Sequence, residues 1–175
     1  MKIQTIAFAL AGLLVAGSLF AHSHSGEADS DSKMTAEQMD AHHAEMMQEI
    51  LNSPWRTDAN KARDVYRHPA ETLAFFGLTP HSKVIEIWPG GGWYADILVP
   101  YATKHGSYTA AVNDPASIEK ESSKAYYAKA NKGLSDKFAA NPEAFSKATM
   151  VLIDPAKPVL GKPGSADLVL TFRNV

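Results

Sequence analysis

The run Val84-Ile85-Glu86-Ile87-Trp88-Pro89-Gly90-Gly91-Gly92 constrains this chain more than any other stretch. Its first part is an apolar, buried-type strand carrying one acid, and its second part is a turn built from glycine. Trp93 to Ala102 then reads as a helix bent or ended by Pro100, and Ser107 to Val112 as a second strand closed by Asn113-Asp114-Pro115. The alternation continues with a helix from Ser117 to about Asn131 and a shorter helical piece from Ser135 to Ala140. Strands follow at Ala148–Ile153 and Ser165–Phe172, and no internal repeat is visible. Strand-helix alternation with largely apolar strands predicts an α/β fold whose parallel sheet is covered on both faces.

Upstream of the sheet the signals are helical. Thr35-Ala36-Glu37-Gln38 is a capping box, and Met39, His43, Met46 or Met47, and Ile50 recur at helical spacing to about Leu51. Asn52 to Gly77 predicts two short helices: Ser53-Pro54 reads as a cap and first position, the stretch Asp58 to His68 ends before Pro69, and Pro69 to Phe76 is stopped by Gly77. At the extreme N-terminus Lys2 precedes an uncharged apolar run whose core, Ile6 to Val15, is shorter than the about 20 residues of a membrane span. Small residues follow. This is the pattern of a secretory signal peptide cleaved after Ala21 or after Ser18, which predicts a periplasmic or secreted protein that meets the membrane only during export. The expected organisation is therefore a signal peptide (1–21), a flexible His/Ser/Asp-rich leader (22–34), a helical segment (35–82) and the sheet domain (83–175).

Charge narrows the partners. Lys+Arg total 17 against 19 Asp+Glu, a formal net charge of −2, so no basic footprint for a nucleic acid is present. No cysteine is available for disulfides or for lipid attachment. His22, His24, His42, His43, Met46 and Met47 offer ligands for soft or borderline metals, with His42/Met46 and His43/Met47 one helical turn apart. No spacing completes a recognisable metal site, and exposed histidines beside a Met-rich packing face explain them equally.

The chemistry concentrates at the glycine turn. Glycine lets a ligand approach the backbone, the following helix aims its N–H groups into the same place, and open parallel sheets bind nucleotide-like ligands there. Asp114, at the end of the second strand, is placed to accept two ribose hydroxyls or merely to cap the next turn. Trp88 stands where the dinucleotide fingerprint has its first glycine, and Glu86 is an acid inside the strand. An acid there disfavours a pyrophosphate and suits a cationic ligand such as S-adenosylmethionine.

The run Val84 to Tyr94 resembles motif I of class I S-adenosylmethionine-dependent methyltransferases, and more narrowly an exported family with a WPGGGWY loop. Tyr66-Arg67-His68-Pro69-Ala70-Glu71-Thr72-Leu73 and Ala166 to Val175 match the same family in order, so the resemblance spans Pro54 to Val175. It implies a Rossmann-like sheet, methyl transfer to a small-molecule acceptor, and S-adenosylmethionine as cofactor. By position, Glu86, Pro89, Gly90, Gly91 and Gly92 would line the methionine end and Asp114 the ribose, while Asp167 to Asn174 would form a fourth strand facing the methyl. Tyr66, His68, Arg173 and Asn174 are the candidates near the reacting groups, although Tyr66-Arg67-His68 suit a helix junction as well. The family's sequence runs on past Asn174, so the resemblance also implies a C-terminally truncated chain with about four strands, an exposed apolar edge at Val169 to Val175, and a fragment whose turnover is in question. Export away from the cytoplasmic cofactor pool keeps three rivals open. These are a non-catalytic small-molecule-binding module on the same fold, a periplasmic metal-binding protein using the His/Met-rich segment, and a nicotinamide-dependent oxidoreductase, which Trp88 disfavours.

Overall fold

In the computed structural model, residues 34–174 are described; the expected signal peptide, all but Met34 of the leader, and Val175 lie outside them. Four strands, β1 (Lys83–Ile87), β2 (Ser107–Asn113), β3 (Ala148–Ile153) and β4 (Leu168–Thr171), pair in the order β3-β2-β1-β4. Every pairing is parallel, with Glu86 level with Ala110 and Leu170, and Ile85 level with Thr109 and Val169. The protein is thus α/β with an all-parallel, Rossmann-like sheet. Asp167 sets the register of β4: its amide donates to the Lys83 carbonyl at 2.9 Å and its carboxylate accepts from the Lys83 amide at 2.8 Å. The chain starts in the middle with β1, builds outward through β2 and β3, then crosses back to the far side of β1. Such a reversal opens a crevice at the carboxyl ends of the strands.

The two faces of the sheet are not alike. Val84, Tyr108, Ala110, Val112 and Leu170 point into one core, and buried residues of α1 (Ala36–Leu51), α4 (Pro69–Phe75), α5 (Ala95–Ala102), α6 (Glu121–Ala140) and α7 (Pro142–Phe145) enter that same core. Among the described residues the opposite face buries Ile85, Ala111 and Ile153, with Ile87, Val151, Leu160 and Ala166 packed against them. The sequence predicts a sheet covered on both faces; among the described residues helices cover one, and the other is covered in part by the β3–β4 connection. The connection from β3 to β4 carries Pro155, Pro158, Gly161, Pro163 and Gly164, a composition that cannot sustain a helix, and it crosses as irregular chain.

α5 is the central helix, with Ala95, Asp96, Ile97, Leu98, Val99 and Ala102 all fully buried. Pro100 sits inside it and has no N–H for the Asp96 carbonyl one turn earlier. The Trp55 indole N–H donates to that carbonyl at 3.0 Å instead, so a residue of the helical segment repairs the defect. α6 runs unbroken through Gly133, where the sequence predicts a gap. Leu134 and Phe138 are buried by it, and Phe138 meets Tyr108 edge-on at 6.4 Å, burial that outweighs the about 1 kcal/mol propensity cost of one glycine.

The helical segment shares the core through Met47, Ile50, Leu73 and Leu78. Its capping box forms as expected, with Thr35 Oγ1 accepting from the Gln38 amide at 3.3 Å and Gln38 Oε1 from the Thr35 amide at 2.9 Å. Asn52–Gly77 departs from expectation. Ser53-Pro54 makes a turn rather than a helix start, and Asp58 to His68 divides into α2 (Asp58–Lys61) and α3 (Asp64–Arg67). The fully buried Arg56 organises this region. It pairs bidentately with Asp64 at 2.7 Å for both contacts and donates to the Leu51 carbonyl at 2.8 Å. Among the described residues no helix is long and apolar enough to cross a membrane.

Candidate functional site

β1 delivers the chain into the crevice at Trp88, whose amide extends the ladder by donating to the Ala111 carbonyl at 2.9 Å. Trp88 has a φ of 53°, a conformation that costs a side-chain-bearing residue about 1–2 kcal/mol and that glycine adopts freely. Two asparagines hold it there. The indole N–H donates to Asn113 Oδ1 at 2.9 Å, and the Asn174 amide donates to the Ile87 and Trp88 carbonyls at 3.3 and 3.2 Å. Asn113 is fixed in turn by Asn131, which donates to its carbonyl at 2.9 Å.

The glycines then divide their work. A Cβ on Gly90 or Gly91 would meet nothing within 4 Å, so the turn is open toward the crevice. Gly92, with a φ of 74°, is instead packed inward, where a Cβ would lie 2.9 Å from Leu134 Cδ1. Lys137 clamps the turn, donating to the Gly91 and Gly92 carbonyls at 3.1 Å each and pairing with the buried Asp96 at 2.6 Å.

Two hollows of about 230 Å³ each share Trp88, Gly90 and Asn174. One is walled by Asn113, Tyr126, Tyr127 and Asn131, giving it aromatic faces and amide groups. The other has Glu86 beside Arg63, Arg67, Tyr94 and Arg173. Glu86 is only 2 % exposed, and its carboxylate accepts a 2.7 Å hydrogen bond from the Tyr108 hydroxyl. Burial pushes its pKa up to about 7 against the opposing pull of that hydrogen bond, with Asp96 adding to the rise and Lys137 moderating it. A carboxyl poised near neutrality in a crevice gains by meeting a cation.

The structure gathers some of the predicted residues and leaves others out. Glu86, Pro89, Gly90, Gly91, Arg173 and Asn174 line the second hollow. Gly92 lines neither, being taken up by the contact with α6. Asp114 also lines neither; its Oδ1 accepts from the Ala116 amide at 2.9 Å and caps the short 3-10 turn Pro115–Ser117. Its neighbour Asn113 faces the crevice instead. Tyr66 is 84 % exposed, and His68 lies in an exposed left-handed turn 3.8 Å from Glu71, so neither borders the hollows.

Of the metal candidates, Met47 is buried in the core and His43 packs edge-on to Tyr101 at 6.5 Å, while His42 and Met46 border a groove between α1 and the stretch carrying Pro100 and Lys104. Among the described residues no group of three or more His, Cys, Asp or Glu is placed to hold a metal ion, and His22 and His24 lie outside them. Sequence reading missed Asn113, Asn131, Arg63 and Lys137. The available signals were Arg63 and Arg67, four residues apart at the N-cap and the last position of α3, and the Asn113-Asp114 pair, where alternation leaves the choice of inward residue undecided.

Comparison with protein-family models, with curated proteins and with solved structures finds no match to this chain.

Proposed function

We propose that this chain is an S-adenosylmethionine-dependent methyltransferase acting on a small molecule. The observation that carries the reading is the buried Glu86 carboxyl facing the crevice beside an open glycine turn at the switch point of a parallel sheet. The residues suit the group. Glu86 would meet its positive end, Gly90 and Gly91 leave room for its backbone approach, and Tyr126, Tyr127 and Trp88 offer faces to its base. Asn113 takes the place expected for Asp114 as the polar group of the nucleoside end. The cofactor, when bound, supplies a methyl group on a positively charged sulfur, so the protein's part is to orient it and exclude water. Glu86 is taken up by the cofactor's positive end in this reading, and no other residue lining the hollows is a carboxylate or a histidine, which also favours a second reading, a binding module without turnover.

Calorimetric titration of the full chain with S-adenosylmethionine and S-adenosylhomocysteine tests the proposal. Both are expected to bind, more tightly as pH rises through about 7. Glu86→Gln and Asn113→Ala are each expected to weaken them about tenfold, the loss of one charge-assisted or buried hydrogen bond. Absence of heat with either ligand would overturn the reading; binding with no methyl transfer to any acceptor would select the module.

A further inference from the structure

Three guanidinium groups converge on the Glu86 hollow without a carboxylate of their own. Arg63 caps the start of α3, Arg67 ends that helix, Arg173 follows β4 by two residues, and all border the same space. α3 contains one acid, Asp64, and both its oxygens are committed to the buried Arg56 at 2.7 Å. Among the described residues none of the three arginines forms an ion pair. Arg67 Cζ lies 4.5 Å from the Trp93 ring centroid and 5.9 Å from that of Tyr94, and Arg63 Cζ lies 5.9 Å from Trp93. The Arg63 and Arg67 guanidiniums therefore lie in cation–π contact with buried aromatic rings, which leaves their N–H edges available to a ligand, while Arg173 is exposed at the rim. Burial, followed by the charge of Arg63 and then that of Arg173, pushes the Arg67 pKa down, while Tyr94 opposes it, consistent with mutual repulsion in a confined space. Like charges one helical turn apart are destabilising, and an anion placed among them would relieve that cost.

We infer that Arg63, Arg67 and Arg173 form an anion subsite in this hollow that takes the carboxylate or phosphate group of a bound small molecule. The subsite shares the crevice of the function proposed above but does not need its cofactor. The anion has two sources, the carboxylate of an amino-acid-bearing ligand such as the cofactor, or an acid group on a second molecule.

The test is titration of the full chain with inorganic phosphate, followed by NMR of arginine side chains and by calorimetry. Saturable binding is expected, weakened about tenfold by Arg63→Gln combined with Arg67→Gln and also by the exposed Arg173→Gln, which leaves the stacking untouched. Arg67→Lys, which keeps the charge, should retain part of the affinity. Competition between phosphate and S-adenosylhomocysteine assigns the anion to the cofactor's own carboxylate, and simultaneous binding assigns it to a second molecule. Phosphate binding without any S-adenosylhomocysteine binding leaves the subsite standing and removes the methyltransferase reading. Phosphate that fails to bind, or that binds equally to the folded Arg173→Gln and Arg63→Gln/Arg67→Gln variants, overturns the inference.

Discussion

Glu86 shows how one residue can be costly for stability and useful for binding. Its acid form is favoured in the folded chain, since burial raises its pKa from 4.5 to about 7. The folded state then holds a proton that the unfolded state releases between these values. The stabilisation is fully present below about 4.5 and is lost as pH rises through about 7, an effect of about 3 kcal/mol. Glu86→Gln, which can still accept from Tyr108, is accordingly expected to match the wild type in urea unfolding near pH 4.5 and to exceed it by about 3 kcal/mol above pH 8. Equal stability of the two proteins at pH 8 would show that the carboxyl is not held in a desolvated state. The acid was legible in the sequence because it interrupts an apolar strand. Its partner was not: Tyr108 lies 22 positions away and meets Glu86 only because β1 and β2 pair in this register.

At the level of elements, the helical segment and the sheet are joined by a repaired defect. Pro100 leaves the Asp96 carbonyl without its helical donor, and Trp55 supplies one from 41 positions away. Trp55→Phe keeps the edge-on ring contact with Phe145 but orphans that buried carbonyl, so a loss of about 1–3 kcal/mol is expected in denaturant unfolding. Adding Pro100→Ala restores the N–H within α5 and should recover most of the loss. A double variant no more stable than Trp55→Phe would refute this account. Pro100 was readable in the sequence as an irregularity, yet it neither ends nor removes the helix, because the other seven residues of α5 are all buried. α6 carries the same lesson at Gly133, where a local break signal yields to the burial of Leu134 and Phe138.

For the whole molecule, the asymmetry of the sheet decides which substitutions matter. Val169 and Leu170 are neighbours on the edge strand β4, but Val169 points to the face without helices and is 51 % exposed, whereas Leu170 is 5 % exposed in the main core. Val169→Lys is expected to change stability by no more than about 0.5 kcal/mol and to lower self-association seen by light scattering at high concentration. Leu170→Lys should cost about 3 kcal/mol or more, because it buries a charge among apolar side chains. Similar losses for the two would mean that the second face is covered in solution. The expected exposed apolar edge at Val169 to Val175 holds at Val169 but not at Leu170, which is buried, or at Phe172, which stacks on Tyr94 at 3.5 Å, and Val175 lies outside the described residues. By itself the sequence determined the strand-helix alternation, the parallel sheet, the glycine turn and the capping box, all of which follow from local periodicity and backbone sterics. Tertiary structure alone decided that Asn113 and not Asp114 faces the crevice, that Gly92 packs while Gly90 stays open, and that Arg63, Arg67 and Arg173 meet in one hollow. Those outcomes depend on strand register and helix placement, which bring together groups from α3, β2 and β4 that no spacing along the chain connects.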